Sequence, residues 1–121
     1  MSFFKKKQSV IVSCGEKEFP AEIADNFFSK ATGLMFRSPH KHQAMFFKES
    51  GTRPIIWNLG MRFPISIVWL SADKVVGVSR LPRFFIFPQI AVAPPRCNSF
   101  LEIEEGIFSY EELKHVRITH E

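Results

Sequence analysis

The sequence predicts a mainly β, single-domain fold: a compact, barrel-like or sandwich arrangement of short strands with one or two short helices. Short runs rich in β-branched and aromatic residues recur along the chain, each bounded by Gly, Pro, Ser or Asp. Clear helical spacing is confined to one stretch, Asn26 to Thr32. At 121 residues, 45% hydrophobic and 23% charged, the chain has the size and balance of one globular domain with one core. A basic lead-in over residues 1–7 and one β domain over 8–121 are expected.

The elements follow in order. Gln8 to Ser13 reads as a first strand, and after Gly15 and a charged turn EFPAEIAD reads as a second, with Phe19, Ala21 and Ile23 on one face, so that the two form a hairpin. Asp25 can cap the helix over Asn26 to Thr32, which ends at Gly33. Ala44 to Phe47 is a short buried strand, and Ser50 to Thr52 a loop. Beyond the passage from Ile55 to Leu70, SADK at Ser71 to Lys74 is a tight turn and Val75 to Leu81 a strand. Four prolines between Leu81 and Arg96 favour an irregular or edge-like segment. Ser99 to Gly106 alternates Phe100 and Glu102 against Leu101 and Ile103, as a half-buried strand would. A helical turn over Ser109 to Lys114 precedes a last strand around His115 to Thr119.

The most apolar passage, IIWNLGMRFPISIVWL from Ile55 to Leu70, is not a membrane helix. Such a helix needs about 20 apolar residues, and a central arginine costs about 2.5 to 3.5 kcal/mol on insertion scales. The passage reads instead as two strands broken at Gly60 to Pro64. On a two-residue period Ile55, Trp57 and Leu59 share one face, as do Ile65, Ile67 and Trp69, which sets Asn58 and Ser66 on the opposite faces. Both strands are expected at the centre of the sheet system, with Trp57 and Trp69 in the core. No membrane insertion is expected.

Fourteen Phe stand against one Tyr and two Trp. Phe has no polar handle, so an exposed ring would mark a partner surface. The net charge of +4 is a non-specific attraction for acidic partners unless the cations cluster, as Lys5, Lys6 and Lys7 do beside Phe3 and Phe4. IVSC, Ile11 to Cys14, fits a lipoprotein cleavage pattern, but only Val10, Ile11 and Val12 stand between it and the lysines, too few for a signal peptide. A cytoplasmic location is therefore expected, with Cys14 and Cys97 as reduced thiols.

Several motifs together resemble one family. GLMFR at Gly33 to Arg37, AMFF at Ala44 to Phe47, IWNLGMRFPISIVWL at Ile56 to Leu70, Asp73 and Val76, and FLEIEEG at Phe100 to Gly106 are similar, in this order, to the uncharacterised proteins of domain of unknown function 192 (DUF192), also called UPF0127. The match runs from about Ala21 onward. The resemblance implies a mainly β domain and no established activity. The family pattern usually has an aspartate two residues after the motif proline, where Ser66 stands here. Any chemistry that needs that carboxylate is then missing from this chain.

Arg37, Arg62 and Glu102 fall on or beside the motifs, and an arginine can clamp a carboxylate through two parallel hydrogen bonds. One of the two arginines is expected to pair with Glu102. Trp57, Asn58, Arg62 and Ser66 around the turn, supported by Arg37 and Glu102, form the first candidate site, for an anionic ligand or a protein partner. A second candidate is a single-strand nucleic-acid surface, in which Lys5, Lys6, Lys7, Arg80, Arg83 and Arg96 would meet phosphates while Phe84 and Phe85 stack on bases.

His40 and His42 lack a third ligand nearby, so neither a metal nor another cofactor is expected. No nucleophile elbow and no phosphate-binding glycine loop appears. The reading that follows is a binding module and not a catalyst, with an enzyme using a pocket near the 57–66 hairpin as the alternative.

Overall fold

The computed structural model describes residues 9–24, 34, 43–48 and 55–120. The first chain reversal is at Gly15, whose φ of +61° at the first central position of a two-residue loop gives a type II′ turn. β1 (Ser9–Cys14) and β2 (Lys17–Ile23) therefore pair antiparallel as the expected hairpin. Val10, Val12 and Ala21 are fully buried, and Phe19 and Ile23 pack beside them. The helix expected over Asn26 to Thr32 lies outside the described residues.

β3 (Ala44–Phe47) runs parallel to β2, with Glu22 opposite Met45. β4 (Ile55–Trp57) stands apart from this sheet. β5 (Ile65–Ser71) and β6 (Lys74–Leu81) form a hairpin whose two loop residues, Ala72 and Asp73, both take positive φ, 49° and 63°, the pattern of a type I′ turn. β7 (Ile90–Val92) pairs with β4. β8 (Ser99–Glu104) lies between β5 and β3. Helix α1 (Tyr110–Leu113) starts with a capping box, Ser109 and Glu112 each accepting the other's backbone N–H, and buries Leu113. β9 (Arg117–His120) pairs with β1.

The large sheet has seven strands in the order β6-β5-β8-β3-β2-β1-β9 and curls into a half-barrel. One core fills the curl: Val10, Val12, Phe46, Val68, Leu70, Leu101, Ile103, Leu113 and their neighbours. A second core lies on the opposite face of β3, β5 and β8 and holds Met45, Phe47, Ile65, Ile67, Trp69 and Phe100. Leu34, Met61, Phe63, Ala93 and Cys97 join it, with Ile56 and Ala91 of the small sheet packed against it. Trp69 satisfies its indole N–H by donating to Ser79 Oγ at 2.8 Å.

Two expectations are corrected here. Ser99–Glu104 is buried at every position and not half-buried, because the second core covers the face that a one-layer sheet would leave wet. Of the two strands in Ile55 to Leu70, only β5 lies inside the large sheet. Asn58 to Met61 form a β-turn, with Met61 N–H donating to Asn58 O and Gly60 at φ +74°, which suits the third position of a type II turn. Beyond it β5 pairs with β6 and β8, whereas β4 is left to β7. The passage is thus not a hairpin, and Trp57 is 49% exposed where Trp69 is 1% exposed.

Ala72 carries a side chain in a left-handed conformation that glycine adopts without penalty. Ala72→Gly is expected to stabilise the domain by about 0.5 to 1 kcal/mol, read from the urea midpoint. A loss of stability would contradict the strain reading.

Candidate functional site

Asn58 is 1% exposed, and every polar group it offers is used. Its Nδ2 donates to Pro82 O at 2.7 Å, and its Oδ1 accepts from Gln89 N–H at 2.7 Å. Its own N–H donates to Gln89 O at 3.0 Å. One buried amide therefore grips both ends of the segment 82–89. Phe84 N–H adds a bond to Met61 O at 2.9 Å. This anchoring matters because the gripped segment contains Phe85, Ile86 and Phe87, exposed by 71%, 63% and 80%.

The neighbouring small sheet is apolar on both faces. Ile56 and Ala91, opposite each other in the register, pack on the second core. The cross-strand pairs Ile55 with Val92 and Trp57 with Ile90 turn the other way and are 49% to 63% exposed. Gly60, Met61, Arg62, Arg83 and Phe84 line an open depression of about 360 Å³. Arg62 and Arg83 are both exposed, and the Arg83 guanidinium lies 5.8 Å from the Phe85 ring centre.

The structure thus divides the sequence candidates. It joins Arg62 of the first set with Arg83, Phe84 and Phe85 of the second, and it places Trp57 on the plate. Asn58 is a structural clamp. Ser66 is buried on the face of β5 that meets the barrel core, whereas the alternation of β8 sets Glu102 with Phe100 on the opposite side. Arg80 is engaged by Glu105 and lies over the Tyr110 ring. Arg96 is exposed in the turn after β7, at φ 71°. Arg37, Lys5, Lys6, Lys7, His40 and His42 lie outside the described residues.

Glu102 sits in the second core, 4% exposed. Leu34 N–H bonds its carboxyl, but Oε1 has no partner among the described residues. Arg62, exposed at its turn, does not supply the expected ion pair. Desolvation pushes the carboxyl from its ordinary 4.5 to about 7, against the smaller opposing effect of the Leu34 bond. Cys97 is a buried free thiol whose Sγ donates to Ser99 O at 3.1 Å, and burial pushes it up.

Sequence reasoning missed a second depression, about 360 Å³, lined by Phe46, Lys48, Ala72, Asp73, Asn98, Ser99 and His120. His120 Nε2 lies 2.8 Å from Asp73 Oδ2, with the ring edge-on to Phe46 at 5.6 Å. Asp73 belongs to the tight-turn motif, but its meeting with a residue 47 positions on is a product of the sheet's curl. Among the described residues no three His, Cys, Asp or Glu converge as a metal cluster, and no helix is long and apolar enough to cross a membrane.

The class so defined is a small, mainly β domain whose described residues form a curled seven-stranded half-barrel, a small two-stranded sheet and one short helix. The chain belongs to the DUF192 family, described as Uncharacterized ACR, COG1430, which it matches over residues 10–116. A protein of unknown function from Novosphingobium aromaticivorans DSM 12444 has a similar structure, with TM-score 0.69 and 21% identity over 93% of this chain and 83% of that one. Another, called a "putative transcription regulator", from Sinorhizobium meliloti 1021, has TM-score 0.67 and 16% identity over 95% and 94%. At these identities the likeness is one of fold. No curated protein matches the chain.

Two predictions follow from these buried polar groups. Asn58→Ala leaves the Gln89 N–H and Pro82 carbonyl without their partner, and should cost about 2 to 3 kcal/mol while speeding hydrogen exchange across residues 83–90. Unchanged exchange there would refute the clamp. For Glu102 the folded group holds its proton more tightly than the unfolded one, so its contribution is complete below pH 4.5 and is lost as pH rises through about 7. Stability should fall across that window by an amount on the order of 3 kcal/mol. Glu102→Gln should remove this fall and be the more stable protein at pH 8, as read from urea midpoints at pH 5 and pH 8.

Proposed function

We propose that this chain is a non-catalytic binding module whose contact surface is the outer face of the β4–β7 sheet together with the clamped segment 82–89. The observation that carries the proposal is the exposed plate of Ile55, Trp57, Ile90 and Val92, continuous in the chain with Phe85, Ile86 and Phe87. Scattered exposed apolar residues are ordinary, but a contiguous set of this kind marks an interaction surface. The partner it suits is apolar with negative charge beside the apolar part, since Arg83 lies over the Phe85 ring and shares a depression with Arg62.

The depression at the 57–66 turn favours binding over turnover. Its charged lining is two arginines, with no carboxylate, histidine or thiol beside them among the described residues of the depression. They can hold an anion, and Trp57 can cover apolar surface beside it.

The discriminating experiment is amide chemical-shift mapping with decanoate, a single-chain amphiphile with one carboxylate, kept below its micelle concentration. Perturbations should cluster at residues 55–63 and 81–92. Clustering at Phe46, Asp73, Asn98 and His120 instead would move the site to the other depression and overturn the proposal.

A further inference from the structure

We infer that the partner is an anionic lipid bilayer surface, on which the domain docks by burying the tip Phe85-Ile86-Phe87 and the adjoining plate while its arginines meet the lipid headgroups; this rests on the binding surface proposed above.

Three features select a bilayer. The first is the shape of the tip. Phe85, Ile86 and Phe87 are consecutive residues of an irregular segment between Pro82 and Pro88, and all three are more than 60% exposed. Three successive large apolar groups, all exposed on an irregular segment, form a tip that a rigid flat partner covers poorly and a fluid interface closes around. The second is the kind of apolar surface. Ile55, Ile86, Ile90 and Val92 are aliphatic, and stacking of bases requires aromatic faces. Single-stranded nucleic acid would leave half of the surface unused. Aromatic and aliphatic side chains mixed with arginine are what the boundary between headgroups and acyl chains accommodates.

The third feature is charge. Residues 55–71 and 74–101 contain no Asp or Glu, whereas Arg62, Arg83 and Arg96 are exposed in them. An anionic surface therefore meets no opposing charge from these segments. Each arginine can keep its guanidinium at headgroup level while its stem follows the apolar contact. Rigidity adds to this, because the Asn58 bonds hold both ends of the tip before docking, so little ordering remains to be done on contact.

Trp57 makes the test direct. It lies on the plate, 49% exposed, whereas the second tryptophan, Trp69, is 1% exposed and held by Ser79. The full chain is mixed with phosphatidylcholine vesicles with and without phosphatidylglycerol, and tryptophan emission and flotation are followed at low and raised salt. A blue shift and co-flotation with the anionic vesicles, weakening with salt, are expected. Phe85→Ser combined with Phe87→Ser should lower partitioning by about tenfold or more, and Arg83→Gln should reduce the preference for anionic vesicles. Trp57→Phe should lose the spectral shift, which assigns the shift to the plate and not to the buried Trp69. Each substituted side chain is exposed, so an unchanged melting temperature is the control for folding. Absence of flotation, or flotation untouched by the double Phe substitution, would overturn the inference. So would tight binding to an acidic peptide or an oligonucleotide with vesicles ignored. In those cases decanoate shifts still confined to residues 55–63 and 81–92 would leave the binding module standing with a different partner.

Discussion

The architecture depends on three adjacent strands, β3, β8 and β5, being buried on both faces. A sheet wetted on one side needs one apolar face, and the curl of this sheet supplies its cover from within. Ile65, Ile67, Trp69, Phe47 and Phe100 make the other side apolar as well, so a second layer is obligatory. The chain supplies it in part with the small sheet, through Ile56 and Ala91, and with Met61 and Phe63 of the turn region. A two-stranded covering layer has an outer face of its own. With Ile, Val and Trp at its outward positions, the same requirement is passed one layer further out, to the surface proposed for binding.

Elements whose specification is local were legible in the sequence. The hairpins at Gly15 and at Ala72 and Asp73, the capped turn at Ser109 and the edge-like nature of the proline-rich segment need only a few neighbouring residues to define them. What needed distant partners was not legible. Trp57 and Trp69 stand in equally aliphatic surroundings, yet one strand is placed on the covering layer by pairing with residues 90–92 and the other lies in the large sheet between β6 and β8. Glu102 alternates with Leu101 and Ile103 as a wet residue would, and only the second layer buries it. For the site, Arg62, Trp57, Arg83 and Phe85 were identified as types, but in separate groups. Arg62 meets Arg83, and Arg83 meets Phe85, across a turn and a segment that Asn58 joins through bonds to residues 24 and 31 positions away.

Asn58 and Glu102 show two ways in which a protein interior accommodates a polar side chain. The amide of Asn58 is neutral, and its Nδ2 and Oδ1 each meet a backbone group, so its burial gives a fixed geometry at small electrostatic cost. Among the described residues the carboxyl of Glu102 has one bond, from Leu34, for two oxygens, and it escapes the cost of a buried charge by keeping its proton up to about pH 7. The first arrangement orients a segment, while the second makes the core itself responsive to pH.

The pairing of β1 with β9 has a further consequence, for the order of events in folding. Val10 lies opposite His120 and Val12 opposite Ile118, so the register of the first strand is shared with the last. The parallel step from β2 to β3 likewise joins strands that no tight turn can connect. Contacts between residues so far apart must close large loops before they contribute, which places such a topology among the slower folders of its size. Until residues 117–120 arrive, the outer backbone edge of β1 is an unpaired template for other strands. The finished sheet protects that edge with its own final strand.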